Sequence, residues 1–310
     1  MSALDVTEAG VVPADPAPPT AAPVTAAADG YRKRRLGVVF WMAAVWLVLI
    51  VLAAIFAGLL PLKDPKQTFP GVSREGPSGS HWFGVDNIGQ DVLSRSIYGA
   101  RRSLTVAFAA TVIGVLIGSV LGLISGYYRR NIDLATTALL NVILSFPALV
   151  LLLTLIAFLA PPGTSSPTEQ TAWVIVGLAI LVIPSVARVT RAQTMMWSDR
   201  DFVLSARTLG ARNKRIMLRE ILPNVIPAIA SFALIGLAAL MLAEAALAFF
   251  GVGDVTGVSW GLMIQNGRSQ LEEAPHMVFF PALFMSLTIF AINLVGDGVR
   301  AQFEVKEGGI

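Results

Sequence analysis

The sequence predicts an all-α, polytopic membrane protein with six transmembrane helices. Its 310 residues are 55% hydrophobic and only 14% charged, with a mean hydropathy of +0.70 and no cysteine. This composition excludes a disordered chain, a disulfide-stapled secreted domain and a thiolate metal site. The charges are also unevenly placed, because six long apolar stretches contain only one charged residue, Glu244. A charge at the centre of a bilayer costs about 3 kcal/mol, so its exclusion indicates membrane spans.

The limits of the six spans follow from the length of each apolar stretch. A hydrocarbon core about 30 Å thick needs roughly 20 helical residues at 1.5 Å each. Buried helices of a large soluble protein are the alternative, but such helices carry a polar stripe that these stretches lack. The predicted spans are residues 36–60, 103–126, 134–160, 171–187, 225–253 and 277–296.

Basic residues predict the orientation of the chain. With the N-terminus in the cytoplasm, most of the 23 Lys and Arg residues lie on the cytoplasmic side, eight of them between Arg188 and Arg219. The positive-inside rule therefore places both termini in the cytoplasm. Membrane topology thus accounts for the net charge of +3, and no nucleic-acid partner is needed to explain it.

The segments around the spans differ in composition. Residues 1–30 are rich in Ala and Pro and have no basic residue, which predicts a disordered cytoplasmic tail. Residues 31–102 hold the first span, which lies too far from the start for a signal peptide, and an external segment. Residues 103–300 form a five-helix core with a cytoplasmic loop at 198–223, and residues 301–310 form a second cytoplasmic tail.

A run of glycines marks the second predicted span. Gly114, Gly118, Gly122 and Gly126 recur every four residues, so they follow one face of a helix. Glycines on such a face let a neighbouring backbone approach closely, and the sequence therefore predicts tight helix packing here.

The loop between the fourth and fifth spans is the most informative stretch. Ser198, followed three residues later by Asp201, predicts a capping box, and Gly210 is a natural left-handed stop. These signals predict a short helix over 199–209. A second helical run over 211–222 is predicted to end at the proline that follows it.

Apolar side chains form a ridge on the first of these two helices. Phe202, Ala206 and Leu209 follow one another at spacings of four and three on an otherwise charged helix. A short amphipathic helix held in the cytoplasm suits insertion into a groove on another protein. A helix lying flat at the lipid interface is the alternative.

The same loop resembles the coupling loop of ABC importer permeases. The family pattern is Glu-Ala-Ala, three residues, Gly, nine residues and then Ile-x-Leu-Pro. Ser205 and Ala206 precede Gly210 at this spacing, and Leu222 and Pro223 close the pattern. The resemblance implies that this loop couples the chain to an ATPase subunit.

The loop also departs from the family pattern at three positions. Leu204 stands where the family has Glu, Ser205 where it has Ala, and Glu220 where it has Ile. The family spacing and the glycine are retained. The residues to which the resemblance assigns ATPase coupling are Asp201, Phe202, Ser205, Ala206, Arg207, Leu209, Gly210, Leu222 and Pro223.

Further segments narrow the resemblance to the C-type permease subunit of dipeptide, oligopeptide and nickel importers. The external segment over 81–101 is similar to that of this subfamily, with Gln90 where Arg is usual. The resemblance extends over about residues 36 to 300. The matching segments are, in order, 81–101, 126–128, 146–147, 242–253, 259–261 and 293–300.

The resemblance implies a type I ABC importer permease fold in the bacterial cytoplasmic membrane. Its implied partners are membrane lipid, a second, dissimilar permease subunit, one or two ABC ATPase subunits that bind ATP and Mg, and an extracytoplasmic substrate-binding protein. The implied substrates are di- or oligopeptides, with nickel or other small solutes as the alternative. An ion-driven secondary transporter would show charged or broken half-helices near the midplane, and the single Glu argues against that class.

The sequence predicts neither a catalytic site nor a metal or cofactor site. The dipeptide Gly-Lys is absent, so no P-loop can hold a nucleotide, and ATP hydrolysis is expected from a partner. His81 and His276 are the only histidines, and two loop histidines without cysteine do not indicate a metal site. Glu244 and Asn293 are candidates for the translocation path, with packing between helices as the favoured alternative.

Overall fold

The computed structural model describes residues 37–161, 164–254 and 256–307, with side chains to residue 301. In these residues the regular structure is helical, apart from two isolated β-bridges in the external segment. The predicted tail at 1–30 lies outside the described residues. The last helix continues to Glu307, so the segment predicted as a second cytoplasmic tail, 301–310, begins as part of this helix, and its cytoplasmic location stays a prediction.

The described helices are α1 (Val38–Ile55), α2 (Val92–Tyr128), α3 (Arg130–Leu144), α4 (Ala148–Leu159), α5 (Pro167–Ser198), α6 (Asp201–Thr208), α7 (Asn213–Arg215), α8 (Leu222–Phe249), α9 (Trp260–Gly267) and α10 (His276–Glu307). A π-helix over Ile216–Ile221 joins α7 to α8, and a 3-10 turn over Arg268–Gln270 follows α9.

The third predicted span, 134–160, is not one continuous helix. The axes of α3 and α4 differ by 86°, and the break falls at residues 145–147. Pro147 has no amide hydrogen to donate, and it disfavours helical geometry at the residue before it. Five other helical segments of the described chain are long and apolar enough to cross a membrane: α1, α2, α5, the continuous run Asn213–Phe249, and α10.

The packing of α2 against α5 shows that the broken pair is itself a span. Gly114 lies against Ala179, and twelve residues further along both helices Gly126 lies against Arg191. The two helices therefore run in the same direction. The chain must cross back between them, and only α3 and α4 lie between. The described chain thus has six spans, as the sequence predicts.

The four predicted glycines form the contact between α2 and α5. A Cβ at Gly118 would lie 2.8 Å from the carbonyl oxygen of Ile183, which is closer than real Cβ atoms approach. Gly114, Gly122 and Gly126 meet α5 in the same way, each against a carbonyl oxygen and a β-branched side chain. We call this contact the glycine seam.

The other spans surround the seam. The first residues of α8 meet the last turns of α2, because Val225 and Ile229 share a buried cluster with Leu123 and Tyr127, so these two helices are antiparallel. Helix α10 packs on α8 and α1, and Trp46 donates a hydrogen bond to Thr288 at 3.2 Å. The outer faces of the spans expose many large apolar side chains, as contact with lipid requires.

The external segment ends earlier than the boundary at residue 102, because α2 already begins at Val92. Asp91 caps this helix by accepting a hydrogen bond from the Ser94 amide at 2.9 Å. The carboxylate of Asp91 also lies 2.9 Å from Nδ1 of His81. Helix α5 likewise begins before residue 171, at a capping box formed by Ser166 and Glu169.

Candidate functional site

Helix α6 follows the end of α5 and packs beside the last turns of α2, at the predicted cytoplasmic end. It begins at Asp201, and the predicted capping box is wrong because α5 continues through Ser198. The Ser198 hydroxyl donates instead to the Thr194 carbonyl at 2.6 Å. Helix α6 stops at Gly210, whose φ of 76° is the left-handed conformation that the sequence predicts.

One fully buried side chain contributes most to the contact of α6 with the bundle. Val203 is completely buried, and it shares a cluster with Tyr127 of α2, Ile221 of the π-helix and Val225 of α8. Ala206, one turn later, is half-buried against the same cluster. Ala206 therefore faces the bundle and does not belong to an exposed ridge as predicted.

Three other apolar side chains of this loop are more exposed. Leu209 is 87% exposed, Leu204 is 48% exposed and Phe202 is 40% exposed. Leu204 does not belong to the predicted ridge, which is defined by helical spacing. These three residues form an exposed apolar surface that borders Trp197 of α5 through the ring of Phe202, and we call it the α6 surface.

Tyr127 joins α2 to both parts of the loop. The guanidinium of Arg207 in α6 lies 5.2 Å from the centre of its ring, which is a cation–π distance. Its hydroxyl donates a hydrogen bond of 2.9 Å to Asn213 in α7. Sequence reasoning does not select Tyr127, and the only signal for it is its place in the matching segment 126–128.

The second helical run of the loop does not end at Pro223. It continues through the π-helix into α8, and Pro223 occupies the second position of α8. Pro223 therefore lies inside the continuous run Asn213–Phe249, where it cannot donate a hydrogen bond to the preceding turn, and the π-helix lies directly before α8. Leu222, also a predicted coupling residue, is half-buried against the cluster around Val203.

Ion pairs hold the same ends of α2, α3 and α5 together. Arg129 donates to both carboxylate oxygens of Asp199 at 2.8 Å. Arg191 of α5 is paired with Asp133 of α3, which also accepts a hydrogen bond of 2.7 Å from Ser125 of α2. These contacts fix three helix ends beside α6.

Glu244 lies inside the bundle near the opposite end. Its side chain is buried and accepts a hydrogen bond of 3.1 Å from Ser103 of α2. It lines a cavity of about 20 Å³, which is room for one water molecule, together with Arg102 and Asp254. This geometry matches packing between helices, and contact of Glu244 with substrate stays a prediction.

Arg102 and Asp254 close the cavity from the outer side with an ion pair of 2.8 Å. Burial favours the neutral acid, but hydrogen bonds from Thr256 and the charge of Arg102 outweigh it and lower the pKa of Asp254. The ion pair therefore contributes at neutral pH and is lost only as the pH falls below the usual carboxyl range.

Asn293 and the two histidines have contacts within the chain. The amide of Asn293 donates to the Ile289 carbonyl at 3.0 Å, so this hydrogen bond lies within α10 and not between helices. His276 lies 2.9 Å from the carbonyl oxygen of Val85 and connects α10 to the external segment. Among the described residues, no three His, Cys, Asp or Glu side chains are grouped as a metal site would require.

The sequence of this bundle matches a known family. Residues 118–306, which include the glycine seam from Gly118 onward and the whole loop around α6, match the model of the family described as "Binding-protein-dependent transport system inner membrane component". The chain belongs to this family. It is a multi-pass inner-membrane permease of an ABC importer, as the sequence predicts.

Two relatives place the permease more closely within the family. The dipeptide transport system permease protein DppC of Alkalihalophilus pseudofirmus is 35% identical over 269 residues, which cover 86% of each chain. The glutathione transport system permease protein GsiD of Pectobacterium atrosepticum is 33% identical over 266 residues, covering 85% of the permease and 86% of GsiD. The permease is thus a subunit of the transporter family that contains these two proteins.

Solved structures agree on the fold. The methionine ABC transporter MetNI in an inward-facing conformation matches with a TM-score of 0.55 and 21% identity, over 68% of the permease and 97% of the solved chain. An amino acid ABC transporter matches with a TM-score of 0.50 and 23% identity, over 69% and 94% of the two chains. These matches confirm the ABC importer permease fold.

Proposed function

We propose that the permease forms half of a translocation path for di- or oligopeptides and is driven by an ABC ATPase that docks on α6. The observation that carries this proposal is the α6 surface of Phe202, Leu204 and Leu209, which is exposed and apolar in a loop rich in basic residues. Exposed apolar patches bordered by charge mark protein interaction sites. The relatives named for dipeptides and glutathione support the substrate class.

The remaining partners follow from this role. A second, dissimilar permease supplies the other half of the path, and an extracytoplasmic binding protein delivers the peptide. The ATPase subunits bind ATP and Mg, because the sequence of the permease contains no P-loop. The permease is thus a transport subunit and not an enzyme.

The contacts of α6 give the motion of the ATPase a route into the membrane. Val203 and Tyr127 hold α6 against α2, and the π-helix connects the loop to α8 without a break. The glycine seam then joins α2 to α5 along four turns. When the ATPase pair closes on ATP, a displacement of α6 moves these three spans together. ATP binding shifts the equilibrium toward the outward state. The size of this shift is limited by the difference between the ATP affinities of the two states.

Crosslinking tests the docking of the ATPase. The natural chain has no cysteine, so Leu209→Cys places a single thiol on the α6 surface. We expect a photoactivatable group, attached to this thiol through a maleimide, to join this variant to the ATPase in the intact transporter on illumination. Leu59→Cys is the matched control, because Leu59 is 81% exposed and lies at the other end of the bundle. Failure of Leu209→Cys to crosslink, or equal crosslinking of Leu59→Cys, would contradict the assignment of α6.

Uptake measurements test the substrate class. A strain that lacks only this permease is complemented with the gene or with an empty vector, and uptake of labelled dipeptides, tripeptides including glutathione, and nickel chelates is compared. We expect the gene to restore peptide uptake and unlabelled peptide to compete with it. Restoration of nickel uptake alone would overturn the peptide assignment and leave the role as a permease intact.

A further inference from the structure

A cavity of about 390 Å³ lies between α2, α3 and α5, in the half of the bundle nearer to α6, and both apolar and polar side chains line it. Its volume is that of about a dozen water molecules. The polar side chains that line it are Ser125, Thr136, Thr137, Asn141, Arg188 and Arg191.

Helix α3 is amphipathic, but its polar side chains face the interior of the bundle and its apolar side chains are exposed. This is the reverse of a helix in a soluble protein. Thr137 and Asn141 line the cavity, whereas Leu139 and Val142 lie on the opposite face of the helix and are both more than half exposed. A soluble helix would bury the second set. The arrangement fits a helix with hydrocarbon outside and a polar occupant between it and α5.

The two arginines of the cavity have different partners. Arg191 is neutralised by Asp133 in the ion pair already described. Arg188 donates a hydrogen bond of 2.7 Å to the amide oxygen of Asn141, which carries no charge. No carboxylate of the described residues lies within ion-pair distance of Arg188. Its guanidinium therefore brings an uncompensated positive charge and further donors to the cavity mouth.

The depth of Arg188 in the membrane identifies the occupant. The apolar run of α5 ends at Ala187, so Arg188 follows the hydrocarbon boundary directly. Asp133 similarly precedes the apolar residues of α3. The cavity mouth thus lies at the level of the lipid headgroups, on the side that the positive-inside rule assigns to the cytoplasm. Basic pockets between spans at this level attract anionic headgroups.

We propose that this cavity binds the phosphate group of an anionic lipid. Arg188 donates charge-assisted hydrogen bonds to the phosphate oxygens, and the Thr137 hydroxyl and Asn141 amide contribute neutral donors. The acyl chains lie along the exposed apolar side chain of Leu144, which follows the cavity-lining residues on the same face of α3. None of the residues that line this cavity belongs to the α6 surface or is a candidate for the translocation path, so the proposal does not depend on the proposed substrate.

Lipid binding to the intact transporter tests this site. Native mass spectrometry of the purified complex, titrated with phosphatidylglycerol or with phosphatidylcholine, measures the bound lipid. We expect the wild type to bind phosphatidylglycerol preferentially, and Arg188→Gln to weaken that binding about tenfold, because one charged donor is lost. Arg215→Gln is the matched control, since Arg215 is exposed at the same end but does not line the cavity. It should bind as the wild type does.

Other outcomes of this experiment would overturn the lipid site or assign the cavity to a different anion. Equal binding of both lipids, or unchanged binding by Arg188→Gln, would overturn the site. Inorganic phosphate or a dipeptide that displaces the lipid at equal concentration would assign the cavity to a soluble anion. If Arg188→Gln does not assemble, Arg188→Lys is measured in its place, because lysine keeps the positive charge. Arg188→Lys should bind more phosphatidylglycerol than the wild type binds phosphatidylcholine.

Discussion

Replacement of Gly210 by glutamate is expected to reduce peptide uptake about tenfold or more while leaving the amount of permease in the membrane unchanged. The residue has a φ of 76°, which costs an L-residue with a side chain about 1–2 kcal/mol. A Cβ there would meet no atom within 4 Å, so the fold has no clash to relieve. The new carboxylate lies beside Leu209 on the α6 surface and must lose its water when the ATPase docks, which is unfavourable. Uptake in cells and immunoblots of the membrane fraction measure the two quantities.

Gly71→Glu is the matched control for this experiment. Gly71 has a φ of 88°, also has open space around its Cβ position, and lies in the external segment. The backbone strain is the same, but the position is remote from α6. Normal uptake by Gly210→Glu would contradict the coupling role of the loop. Equal loss in both variants would attribute the effect to strain in the backbone alone.

The spans could be predicted from the sequence because one local property decides them. The absence of charged residues can be read from the sequence position by position. The capping box of Ser166 and Glu169 at the start of α5 is an equally local signal, but it is not among the predictions, which begin this span at residue 171. The pattern of Ser198 and Asp201 is the same signal, yet it fails because α5 runs through Ser198. The break at Pro147 could not be predicted from the local sequence either. A proline in an apolar stretch is compatible both with a broken helix and with a continuous helix that is only bent.

The same distinction between local and long-range signals applies to the candidate site. Gly210 and the exposure of Leu209 follow from spacing within one loop. The burial of Ala206 and Val203 depends on Tyr127 and Val225, which are supplied by two other helices. Sequence periodicity gives the faces of α6 but does not state which face meets the bundle. For the same reason the hydrogen bond between Glu244 and Ser103, which are 141 positions apart, has no signal in either neighbourhood.

The glycine seam provides the prediction with the largest effect on folding. Replacement of each glycine by alanine adds one methyl group against the backbone of α5. At Gly122 the new Cβ would be closest to a carbonyl oxygen, that of Ala187, and would also lie 2.9 Å from the amide nitrogen of Arg191. Backbone atoms cannot rotate away as a side chain does, so α2 and α5 must separate. Overpacking of this kind costs about 3 kcal/mol, and we expect little folded Gly122→Ala permease.

The four glycines should differ in a fixed order. The distance from the alanine Cβ to the nearest atom of α5 increases from Gly122 to Gly126 at 2.7 Å, Gly118 at 2.8 Å and Gly114 at 3.0 Å. The loss of thermal stability of the detergent-solubilised transporter should decrease in that order. Gly236→Ala is the matched control, because Gly236 is helical and has open space, so alanine there should be neutral or slightly stabilising. A flat or reversed order would mean that close backbone approach does not hold α2 to α5, and that the route from α6 to α5 lies elsewhere.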